Sequence, residues 1–238
     1  MKNPSGAAVA AFVLLGAMAS AASAVAVRDV AGMRMLVLTP AGAPAGSVLL
    51  IPGGTTRIGI SPSGEITSGE GNFLVRSRER FVAAGYVTAL LDDPRDVSAA
   101  VTALHVLAPP TFVVGTSNGT IVAADAAARL GKSGVAGIIF TSTVTRPGRE
   151  FSHGVDAGLL AKANVPLLFV HNRNDTCRAS PPAPIEALVT QLSGDVTLQM
   201  TSSKAASSTD CEAFSPHGYL GIEAATVQTI TDWMDAHR

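Results

Sequence analysis

The chain has 238 residues, 47% of them hydrophobic and 15% charged, with a formal net charge of -1. This is the composition of one globular domain rather than a disordered chain, and its near-neutrality removes the electrostatic case for nucleic acid or an anionic membrane as a partner. There is no zinc-type Cys/His spacing, no Walker A sequence, no Gly-x-Gly-x-x-Gly opening a helix and no internal repeat, so neither a metal nor another cofactor is expected.

Residues 1–24 read as a cleaved secretory signal. Lys2 supplies a short positive start, Ala7 to Ala19 is an apolar run, and Ala22-Ser23-Ala24 fits the small-residue cleavage pattern. The run is too short to span a bilayer comfortably. No cysteine in this region offers a lipid anchor, so the expected mature chain is a single domain over 25–238, periplasmic or extracellular and free of the membrane. Export makes Cys177 and Cys211 a candidate disulfide, since an oxidising compartment favours pairing. A bridge closing about 35 residues contributes roughly 3–4 kcal/mol in the chain-entropy account.

Beyond the signal, Val25 to Asp29 and Met33 to Thr39 read as two short antiparallel edge strands. Ser47 to Ile51 is a continuous apolar run, the pattern of a strand buried on both faces. It ends in Pro52-Gly53-Gly54-Thr55-Thr56, followed by a polar loop without periodicity to Asn72. Phe73 to Ala84 is an amphipathic helix closed by Gly85. A strand over Tyr86 to Leu91 and a helix over Val97 to Leu107 follow, the latter stopped by Pro109-Pro110. Then come a strand from Thr111 to Thr116, an alanine-rich helix from Thr120 to Leu130, and a strand from Val135 to Thr141. Ser142 to Asn164 is a connection of about two dozen residues holding one short helix, counted from pattern boundaries. A strand over Val165 to Val170, a helix over Pro184 to Leu192 and a final strand over Val196 to Met200 lead to the last helix, Gly221 to His237. That helix puts Val227, Ile230, Trp233 and Met234 on one face. Strands alternating with helices at this spacing predict a single-domain α/β fold, a mostly parallel central sheet with helices on both faces.

In such sheets ligands bind at the carboxyl ends of the strands. Three groups stand there. Ser117 follows a strand inside Gly115-Thr116-Ser117-Asn118-Gly119, the sequence of a sharp strand-to-helix turn that exposes a serine hydroxyl. His171-Asn172-Arg173-Asn174-Asp175-Thr176-Cys177 follows the Val165 strand. Ser215-Pro216-His217-Gly218-Tyr219 precedes the last helix. In these motifs and in its element order, over nearly the whole mature chain, the protein resembles the α/β-hydrolase superfamily, whose triads run Ser, acid, His along the chain.

The resemblance implies Ser117 as nucleophile, His217 as general base, and Asp175 as the acid that holds the imidazole in the required tautomer. Two backbone N–H donors are implied for the oxyanion, Asn118 and either Gly54 or Thr55. The family often has His-Gly-Gly at that first loop, and Pro52 stands here in the histidine's place. The donor is a backbone group, so it survives the change. Asp92, Asp93, Asp156, Asp195 and Asp210 are rival acids; His105 and His237 read as bland, and His153, in the connection after the Val135 strand, reads as a surface residue with lining the site as the alternative. His171 reads as a brace for the acid loop. A Cys177–Cys211 bridge would tie the acid loop to the base loop. The implied activity is a carboxylesterase-like serine hydrolase acting on a small-molecule acyl substrate. A thioesterase, an amidase or peptidase, and a non-catalytic binding protein are alternatives. A thiol oxidoreductase is disfavoured for want of Cys-x-x-Cys. The short connection after the Val135 strand predicts an open site without a helical cap, unless the loop from Thr55 to Asn72 covers it. Oligomeric state leaves no trace in the sequence.

Overall fold

The computed structural model describes residues 24–131 and 134–238. The expected signal therefore lies outside the described residues, except for Ala24, which opens the first strand. β1 (Ala24–Val30) and β2 (Met33–Thr39) pair in antiparallel register. β3 (Gly46–Ile51) is buried along its whole length, as its unbroken apolar run requires. The segment read as an unstructured loop instead carries a two-stranded antiparallel hairpin, β4 (Gly59–Ile60) and β5 (Ile66–Ser68). Ile58 and Ile60 bury themselves in the core, and the Arg34 guanidinium binds the Ile60 carbonyl, so tertiary anchors hold an element too short to be read from pattern.

The remaining elements follow in order: α1 (Phe73–Ala83), β6 (Tyr86–Leu91), α2 (Val97–Leu107), β7 (Thr111–Thr116), α3 (Gly119–Leu130) and β8 (Gly137–Thr141). After a connection holding only the four-residue α4 (Ala157–Leu160) come β9 (Leu167–Asn172), α5 (Pro182–Val189), β10 (Val196–Thr201) and α6 (Glu223–Ala236). The eight-stranded sheet runs β1-β2-β6-β3-β7-β8-β9-β10. β2 joins β6 antiparallel, and every pair from β6 to β10 is parallel.

Alternation along each strand divides the core into two layers. On β7, Phe112 and Val114 face a cluster closed by Phe73, Phe81, Ile230 and Trp233 of α1 and α6. Val113 faces the opposite cluster, closed by Val101 of α2, Ile121 of α3 and Ile185 of α5. The order reverses between β3 and β7, since the chain proceeds from β3 to β6 on one side and places β7 on the other. The loops after β3 and β7 therefore diverge and leave a crevice at their carboxyl ends. β9 runs two residues past its expected end because β10 continues beside it, pairing Met200 with His171 and Thr201 with Asn172. His171 and Asn172 thus belong to the sheet rather than to the acid loop.

Candidate active site

The turn at Ser117 is a product of steric exclusion. A Cβ on Gly115 would stand 2.5 Å from the Gly119 carbonyl oxygen, and one on Gly119 would overlap the carbonyl oxygens of Ile51 and Pro52. Only bare backbone lets α3 start against the end of β3. Ser117 itself takes a left-handed φ of 52°, which is strained for a non-glycine residue. The strain is held from both sides: the Ser117 N–H donates to the Thr141 carbonyl at 3.0 Å, and its carbonyl accepts from the Thr120 N–H at 2.8 Å.

The loop after β3 packs onto this turn, with Gly53 against Ser117, and the Asn118 amide donates to the Gly54 carbonyl at 2.7 Å. Among the described residues, the backbone N–H groups of Gly54, Thr55 and Asn118 have no partner within the protein. They are donors at the start of a helix and in a tight turn, the arrangement suited to an oxyanion.

Asp175 and His217 meet across 42 positions of sequence. The His217 Nδ1 lies 2.9 Å from Asp175 Oδ2, with both side chains almost wholly buried. Asp175 Oδ1 accepts from the Cys177 N–H at 2.9 Å, which fixes the carboxylate plane. The other ring nitrogen of His217, Nε2, is buried and has no hydrogen-bond partner among the described residues. With Nδ1 donating to the carboxylate, Nε2 is the free acceptor.

Several further groups hold this pair, and apart from His171 the sequence reading assigns them no role. Ser180, fully buried, sets its hydroxyl 3.1 Å from Asp175 Oδ2 and 3.0 Å from His217 Nδ1. Its carbonyl accepts from His171 Nε2 at 2.9 Å. Burial pushes the His171 pKa below the ordinary histidine range, although Asp175 at 3.6 Å pulls the other way. His171 is thus a neutral brace, as its position suggested. The backbone at His217 is clamped by the Ser142 hydroxyl on the His217 carbonyl at 2.6 Å and by the Asn172 amide on the Pro216 carbonyl at 3.0 Å. Arg76 reaches the Gly218 carbonyl at 2.6 Å and Glu223 at 2.9 Å. Burial opposes the Glu223 carboxylate, but backbone N–H groups and the Arg76 guanidinium outweigh it and lower its pKa. Tyr219, left-handed at φ 60°, donates its buried hydroxyl to the Val170 carbonyl and accepts from the Ser142 N–H. Burial raises its pKa far above the usual range. His171, Asn172 and Tyr219 lie in the motifs named above, whereas Ser180, Ser142, Arg76 and Glu223 sit in none. Only their placement after strands or beside His217 could have drawn notice.

Cys177 and Cys211 form a disulfide with Cα atoms 4.6 Å apart. It joins the acid loop to the segment that leads into His217. The donors of Asp175, Cys177 and His217 cluster within 4.8 Å, but the Cys177 sulfur is committed to the disulfide, so this set does not fit a metal. The rival acids lie elsewhere in other roles. Asp156 caps α4, Asp195 contacts His237, Asp93 pairs with Arg57 and Arg95, Asp92 accepts from the Arg34 N–H, and Asp210 is exposed. His105 is exposed, His153 lies 4.0 Å from Asp125, and His237 stacks on Trp233.

Ser117 and His217 line one cleft of about 490 Å³, together with Gly54, Thr55, Asn72 and Glu212. Its walls come from the loop of residues 53–73 and from residues 211–218, and the connection between β8 and β9 contributes none of its lining.

No protein-family model and no curated protein matches the chain. Solved structures do. A dienelactone hydrolase from Anabaena variabilis ATCC 29413 is 18% identical over 92% of this chain and 99% of its own, with a TM-score of 0.62. The esterase domain of a Rhodothermus marinus protein is 13% identical over 91% and 99%, with a TM-score of 0.62. XC6422 from Xanthomonas campestris, described as a serine hydrolase without a lid, is 13% identical over 87% and 94%, with a TM-score of 0.56. Likeness at such identities speaks to architecture, and it agrees with the strand order and the turn at Ser117: this chain has the α/β-hydrolase fold.

Proposed function

We propose that the protein is an exported serine hydrolase that cleaves carboxylic esters through an acyl-enzyme. The observation that carries this reading is the buried His217–Asp175 hydrogen bond, which leaves Nε2 unpartnered in the cleft that Ser117 also lines. A serine hydroxyl is a poor nucleophile until a base takes its proton. In the proposed reaction the Ser117 hydroxyl oxygen adds to the ester carbonyl carbon as His217 Nε2 accepts the proton. Asp175 stabilises the resulting imidazolium through Nδ1–H and remains ionised. The negative carbonyl oxygen is met by the Asn118 N–H and by that of Gly54 or Thr55. Collapse expels the alcohol, which takes the proton from Nε2. Water, deprotonated by the same nitrogen, then adds to the acyl carbon, and collapse breaks its bond to the Ser117 oxygen, which takes the proton back from Nε2 as the acid leaves. Ser180 acts as a positioning residue by keeping the imidazole and carboxylate in register.

Export is supported by the signal pattern of residues 1–24 and by the disulfide, which persists in an oxidising compartment. The test is labelling by a fluorophosphonate probe together with hydrolysis of p-nitrophenyl acetate. Wild type is expected to label and turn over, and Ser117→Ala to lose labelling and about 10⁴-fold or more in kcat. Labelling that survives Ser117→Ala would overturn the assignment.

A further inference from the structure

The chemistry of the cleft walls limits what half of an ester can enter. Ligand clefts of this size are ordinarily lined mainly by apolar and aromatic side chains. This one, at about 490 Å³, has few apolar side chains: five glycines offer only backbone, most of the remaining side chains carry polar groups on carbon stems, and the apolar ones are Phe73, Ala213 and the Cys211 half of the disulfide. Phe73 is itself 1% exposed, so little of its ring is available.

Among the described residues, the Thr55 hydroxyl, the Asn72 side-chain N–H₂ and the Glu212 carboxylate on these walls make no hydrogen bond or ion pair. The other end of Asn72, Oδ1, caps α1 by accepting from the Leu74 N–H at 3.0 Å, which directs the opposite end of the amide elsewhere. A methylene chain laid in this cleft would strip water from these groups and offer nothing in return. Hydroxyl groups would replace that water bond for bond, since the three groups together supply both donors and acceptors.

We propose that the half of the ester held in this cleft bears hydroxyl groups, so that the substrates are hydroxylated esters rather than fatty-acyl esters. This rests on the hydrolase reading above. The hydroxyls belong either to the alcohol or to the acyl half, and one experiment separates the two. Hydrolysis is followed by pH-stat for two pairs of similar size: glycerol monoacetate against butyl acetate, and ethyl 2,3-dihydroxypropanoate against ethyl butanoate.

The expected result is at least a tenfold kcat/KM advantage for the hydroxylated member of one pair, and that pair identifies the half that enters. The Glu212 side chain is exposed and bonds none of the described residues, so Glu212→Met is expected to fold and to lower that ratio severalfold. A p-nitrophenyl series from acetate to octanoate is expected to lose activity with length. An apolar slot would instead gain roughly fourfold per buried methylene. Labelling by the fluorophosphonate with equal or better turnover of the unsubstituted esters would overturn this inference alone. Absence of both labelling and turnover would overturn it together with the hydrolase reading.

Discussion

The turn that presents Ser117 is built from consecutive residues and backbone contacts, whereas the side that holds His217 is assembled from segments far apart in sequence. On the first side two glycines let α3 abut the end of β3, and the Ser117 backbone is forced to φ 52°. On the second, Ser142 just after β8, Asn172 of β9 and Arg76 of α1 hold the backbone of residues 216–218, Asp175 holds the imidazole, and a disulfide ties the loops around Cys177 and Cys211. Sterics of bare backbone tolerate no added atom but need no partner. A distributed network tolerates single losses better, and it depends on each loop staying where it is. The two sides should therefore fail differently when perturbed.

The largest stability effect is expected on the distributed side. Replacing both cysteines by serine frees a loop with a sequence separation of 34. By the chain-entropy account this costs about 4 kcal/mol, read as the shift in urea unfolding. A loss below about 1 kcal/mol would mean that the other clamps alone hold the base loop. Next in size is Gly119→Ala on the local side. Its methyl would overlap two main-chain carbonyls that cannot rotate away, so a destabilisation of about 3 kcal/mol is expected in thermal melting. An unchanged Tm would contradict the steric account of the turn.

Ser180→Ala probes the network without a cysteine or a glycine. It removes one hydrogen bond to a charged group, so kcat is expected to fall about 10- to 100-fold with KM unchanged. The His217 Nδ1 proton, observed by NMR, should shift as well. A purely structural role would leave that proton where it is and act through Tm alone. The smallest effect is a gain. Ser117→Gly relieves left-handed strain of about 1–2 kcal/mol, less roughly 0.5–1 kcal/mol of glycine entropy, and should be more stable than Ser117→Ala by up to about 1.5 kcal/mol. The reverse order would show that Ser117 is not strained.

How much of this was legible in the sequence follows the same division. α2 lies over the residues its pattern indicated because Asp96 caps it and Pro109-Pro110 stops it, both local signals. A continuous apolar run marked β3 because both faces of that strand are covered. The β4–β5 hairpin was not legible, since it depends on Ile58 and Ile60 finding the core and on Arg34 finding a carbonyl. The extra length of β9 was hidden too, because β10 supplies it. Asp175, His217 and the cysteines stood out by rarity and position, whereas Ser180 is one serine among many in a Ser/Pro stretch.

The sequence by itself determined the order of elements, the strand-to-helix turn at Ser117 and the residue types at the carboxyl edge of the sheet, because periodicity and glycine sterics act over a few residues. Only the tertiary structure decided which acid meets His217, what clamps that histidine, and which walls face Ser117. Those contacts join β9, the disulfide and the loop of residues 53–73 across the whole chain, and no local pattern encodes a meeting of segments so far apart.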